Sequence, residues 1–185
     1  LNNSLAAAYH QLGKCYLRLG RASEACDLLR QVSEKRPEQI PSRLDYATAL
    51  LRAGKTDEAR KLFTEVLAQK PDHTRGLLGL AQVAFESGEF EKASGLAENA
   101  IAQGGANFAA LLLKGKAARV AGDLNGSNAA LERAEKLMEK SIELNPSQPE
   151  GYYLRGEACF VQERYHAALQ HFREAEDHAH KDRSY

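Results

Sequence analysis

The sequence predicts an all-α solenoid of stacked antiparallel helix pairs, and three observations carry that prediction. Gly20, Gly54, Gly88 and Gly122 recur every 34 residues, and Ala25, Ala59, Ala93 and Ser127 each follow by five. Between these markers apolar residues step by three and four, the period of an amphipathic helix. No stretch shows the alternation of a strand. A 34-residue hairpin cannot bury its apolar face alone, so each must stack on the next and form one array over residues 1–185.

The first repeat, about 6–39, opens with Ala8, Tyr9, Leu12, Cys15, Tyr16 and Leu19 as one helical stripe. Gly20 ends it, because glycine takes the left-handed conformation of a helix terminus without steric penalty. Ala22, Ala25, Leu28, Leu29 and Val32 form the second stripe, closed by Pro37. The second repeat, 40–73, copies this and closes at Pro71. The third, 74–107, has Gly104-Gly105 where the proline falls and Gly95 in mid-helix, where glycine costs about 1 kcal/mol relative to alanine. It is the expected soft joint. The fourth, 108–148, holds seven extra residues between Gly122 and Pro146; two helical turns are about seven residues, so the buried face stays in phase. Ala130, Leu131, Ala134, Leu137, Met138 and Ile142 continue one stripe, predicting a long helix over about 127–144, with a longer turn near 123–128 as the alternative. The fifth, 149–182, follows Ser147-Gln148-Pro149-Glu150, whose capping-box spacing starts a helix after Ser147. Glu163 stands there in place of the turn glycine.

Composition excludes several functions. Lys+Arg and Asp+Glu are both 25, and no repeat holds the basic surplus that phosphate binding needs, which argues against a nucleic-acid partner. The longest apolar run, Phe108–Leu113, is far short of the ~20 residues of a membrane span. Cys15, Cys26 and Cys159 lack CxxC spacing and read as buried, reduced thiols of a soluble chain, which favours the cytoplasm. Catalytic fingerprints such as GxGxxG after a strand, GxxxxGK[ST], HExxH and GxSxG are absent, so no enzyme and no cofactor is expected. His166, His171, His178 and His180 lack the three- or four-residue spacing of helical metal ligands. The chain opens on Leu1, and Leu1-Asn2-Asn3-Ser4 reads as the close of an earlier repeat, which suggests a piece of something longer.

Tyr9, Leu12-Gly13 and Tyr16 on one helix, with Ala59, Phe63, Val66 and Pro71 on another, resemble the tetratricopeptide repeat pattern, and the resemblance runs from Ala6 to about His180 in five copies. It implies a right-handed superhelix whose concave wall is lined by the first helix of each repeat and binds a partner protein or peptide. Helical phase then assigns the wall. His10, Lys14, Leu17 and Arg18 begin it, followed by Leu44, Asp45, Thr48, Leu51 and Arg52. Arg75, Leu78, Gln82, Phe85 and Glu86 come next, then Leu112, Leu113, Lys116 and Arg119. Glu150, Tyr153, Glu157 and Phe160 finish it. An exposed apolar stripe of this kind marks a binding surface; the alternative is that curvature buries it. Leu78→Glu with Leu112→Glu is the variant this reading nominates. The carboxylate clamp of chaperone-binding members fits poorly, because Asp45 would repel a peptide's terminal carboxylate. Two further readings stand beside groove binding: self-assembly through the ends, and service as the docking arm of a larger protein or enzyme.

Overall fold

The computed structural model describes residues 3–105 and 107–182, all helices and tight turns. The readings of Leu1-Asn2, of residues 183–185 and of the His180 side chain lie outside the described residues. Those described form, in order, α1 (Asn3–Arg18), α2 (Ala22–Lys35), α3 (Ile40–Arg52), α4 (Thr56–Gln69), α5 (Thr74–Glu86), α6 (Phe90–Gly104), α7 (Phe108–Val120), α8 (Leu124–Leu144), α9 (Pro149–Val161) and α10 (Tyr165–Asp182). The chain divides into two compact units, Leu1–Glu89 and Phe90–Tyr185, so the boundary falls inside the third repeat.

In the first unit each helix packs on the next, and the first helices of successive repeats also touch, α1 on α3 and α3 on α5. Its core holds Leu29, Leu44, Leu50, Phe63, Val66 and Val83. Gly79 permits the close approach of α5 to α4: a Cβ there would lie 2.3 Å from the Phe63 ring. The second unit repeats the scheme with α6 on α7, α7 on α8, α8 on α9 and α9 on α10. Leu111, Leu131, Ala134, Ala158 and Cys159 are buried in it.

One kind of turn joins the two helices of every repeat. Gly20, Gly54, Gly88 and Gly122 all have φ between 73° and 88°. Just past each first helix, the N–H of Arg21, Lys55, Glu89, Asp123 or Arg164 donates back to the carbonyl of Tyr16, Leu50, Ala84, Ala118 or Cys159 at 2.9–3.0 Å. This is the bond that closes a Schellman motif. Glu163 makes the same turn with φ 62°, in a region that disfavours side chains.

The seven extra residues are helix, not turn: α8 runs 21 residues, and its Ile142 packs against Gly151 of α9. It starts at Leu124, earlier than the stripe predicts, because the Asp123 carboxylate accepts from the Gly126 N–H at 2.8 Å. The capping box is corrected. The cap of α9 is Gln148 with no side-chain bond, and Pro149 sits in the first turn. A proline preset at helical φ, with no N–H to satisfy, begins the helix there.

Candidate functional site

The first-helix wall predicted from phase falls on two faces, one in each unit. In the first unit it is largely closed upon itself. Leu44 is 1 % exposed, and Leu17 and Leu51 are buried with it, because α1, α3 and α5 pack side by side. The expected apolar stripe is therefore core at these three positions. Leu78 and Phe85 stay half-buried. The wall charges are tied together as well. Asp45 sits between His10 of α1, at 2.7 Å from its Nε2, and Arg75 of α5, whose Nη2 donates at 2.5 Å. One carboxylate thus bridges three successive first helices. Arg52 donates to the Leu17 carbonyl at 2.9 Å, and Thr48 spends its hydroxyl on the Leu44 carbonyl at 2.8 Å. Gln82 donates to Glu86 at 3.1 Å. Lys14 is half-buried and Arg18 exposed. The basic start of the wall thus spends Arg52 and Arg75 on internal bonds.

The second unit is different. Leu112 and Leu113 are buried between helices, which overturns Leu112→Glu as a surface probe: it would sink a carboxylate into the core. Tyr153 and Phe160 of α9, by contrast, are 51 % and 58 % exposed. They line an open cavity of about 530 Å³ with Lys116, Glu157, Val161, Glu163, Tyr165 and Phe172. The aromatics brace one another: Tyr153 and Phe172 lie 5.5 Å apart between centroids, and Phe160 meets Tyr165 edge-on at 5.6 Å. Glu163 pairs with Arg119 at 2.9 Å. Glu150 shares a neighbouring apolar cavity with Tyr153 and Phe172.

The sequence reading misses Tyr165, Phe172 and Glu163 because it draws the groove from first helices alone. Phe172 was legible in principle. Gly156 faces its ring as Gly115 faces Leu131, and the same register holds Phe63 in the second repeat, so spacing alone points to a ring packed on α9.

No group of three or more His, Cys, Asp or Glu among the described residues could hold a metal, and no helix is long and apolar enough to cross a membrane. His171 contacts Glu174 at 2.9 Å and His178 stacks on Tyr152. Burial pushes the Cys26 and Cys159 thiols up from their ordinary value, away from the nucleophilic thiolate. Cys15, expected inside, is exposed.

Patterns of the tetratricopeptide repeat match residues 16–75 and 50–117, and another matches 128–182. No curated protein matches the sequence. Among solved structures, TTC0263, a thermophilic TPR protein of Thermus thermophilus, superposes with a TM-score of 0.73 at 19 % identity, over 96 % of this chain and 93 % of that one. MamA from Desulfovibrio magneticus RS-1 gives 0.55 at 21 % identity, over 97 % of each chain. At such identities the likeness is one of fold. The repeat matches cover most of the sequence: this chain belongs to the tetratricopeptide repeat family.

Proposed function

We propose that the chain is a non-catalytic interaction scaffold of five repeats in one array, holding a peptide or amphipathic helix of a partner protein along its first helices. The observation that supports this reading is the aromatic cavity of α7, α9 and α10. Exposed aromatic rings around a concave opening are the usual anchors of an interface, where a few buried contacts dominate affinity. The anchor it suits is one large apolar side chain. Lys116 and Glu157 at the rim offer charged partners for the flanking residues. Buried thiols at Cys26 and Cys159 suit a reducing compartment such as the cytoplasm.

Selection from a displayed random-peptide library tests this. Enriched peptides should share a large apolar residue, and Tyr153→Ala with Phe160→Ala should weaken them about tenfold or more while helical circular dichroism is unchanged. Equal binding to both proteins would remove the cavity from the site.

A further inference from the structure

We propose that α8, from Arg133 to its C-terminal end, is a second binding site, separate from the aromatic cavity, which takes an acidic peptide segment bearing apolar side chains. The site follows from the length of the helix. α8 has 21 residues against 13 in α7, so about eight at its C-terminal end run past the start of its partner. α9 takes one side of this extension, where Ile142 packs on Gly151. The side turned away from α9 has no such cover: among the described residues α8 packs on α7 and α9 alone. Both of those neighbours are in place, so this face is open because α8 is long.

Charge names what fits it. Arg133, Lys136, Leu137 and Lys140 share one face at three- and four-residue steps and line an open hollow of about 190 Å³. The three cations are exposed, and Leu137 is half-buried among them. Leu144, 80 % exposed, continues the row two turns on, about 10 Å away. The helix spends its neighbouring carboxylates elsewhere. Glu135 meets Arg164 at 2.8 Å and Glu139 meets Arg155 at 3.8 Å, both on the α9 side. No described residue pairs with Arg133, Lys136 or Lys140. Glu132 and Glu143 lie exposed beyond Lys136 and do not neutralise the stripe. An apolar row edged by unpaired cations is complementary to apolar side chains flanked by carboxylates. The hollow is of side-chain size, and Glu132 and Glu143 beside it would repel a continuous anionic surface, so a peptide suits the face better than a membrane does.

Selection from a displayed random-peptide library on the chain carrying Tyr153→Ala and Phe160→Ala tests this with the aromatic cavity removed. Enriched peptides should be acidic and carry apolar residues, and fluorescence anisotropy should show their binding weakening as salt rises. Lys136→Glu with Lys140→Glu should lower their affinity about tenfold or more, and Leu144→Ser about threefold. All three side chains are exposed, so the fold should survive, which circular dichroism checks. Lys55→Glu with Lys61→Glu, exposed positions in the first unit, should leave binding unchanged. Enriched peptides without an acidic bias overturn the proposal. So does equal weakening by the two charge reversals, which would mean a general charge effect. Vesicles containing phosphatidylserine that bind the chain and are released by Lys136→Glu with Lys140→Glu, with no peptide enriched, would assign the face to a membrane surface instead.

Discussion

Glu163 occupies the one within-repeat turn that lacks a glycine, at φ 62°. A left-handed side chain costs about 1–2 kcal/mol. Its pair with the half-buried Arg119, Glu163 itself being exposed, returns about 1 kcal/mol or less. Glu163→Gly should therefore raise thermal stability slightly, and it should weaken peptide binding if the carboxylate serves the cavity it lines. Paired melting and binding measurements read both. Ser127 is a second departure. It holds the place of Ala25, Ala59 and Ala93, is fully buried, and its hydroxyl has no hydrogen-bond partner. Relieving an unmet buried hydroxyl is worth about 1–3 kcal/mol, so Ser127→Ala should stabilise, seen as a higher Tm.

At the scale of elements, α10 carries a pH response. The His171 contact holds the Glu174 carboxyl below its ordinary value of 4.5. A depressed carboxylate contributes stability above the unfolded value and loses it as pH falls through the folded one. The contribution is therefore intact at neutral pH and begins to be lost only as pH falls below about 4.5. Glu174→Gln should narrow the gap between melting temperatures at pH 6 and pH 3.5. The longer α8 shows how helices meet here. Its stripe stays in phase through the two added turns, and Ile142 at the far end finds Gly151 of α9. Periodicity alone could foresee that helix. Its first residue, and that of α9, depended on Asp123 and Pro149, whose capping and φ effects act over one turn only.

Within each unit, contacts run between consecutive helices and between successive first helices, so stability is close to a sum of repeat and nearest-neighbour terms. Damage should stay local. Phe63→Ala, removing a ring that is 2 % exposed, should cost about 3–5 kcal/mol and speed hydrogen exchange in α3, α4 and α5. Leu131→Ala, about 2–5 kcal/mol, should do so in α7, α8 and α9. Exchange measured peptide by peptide distinguishes this from uniform loosening.

The sequence by itself determined the helix pairs, their turns and the alternating packing, because a 34-residue period of glycines and apolar stripes is local information that any one repeat displays. It could say which residues share a wall. Only the tertiary structure decided which of them remain open. Leu44 and Leu112 are buried, while Tyr153 and Phe160, at comparable places, stay exposed over a cavity completed by Tyr165 and Phe172 of α10. Asp45 likewise became a bridge between His10 and Arg75. Exposure depends on what neighbouring helices leave uncovered, and that is settled by contacts between helices rather than by the spacing within one.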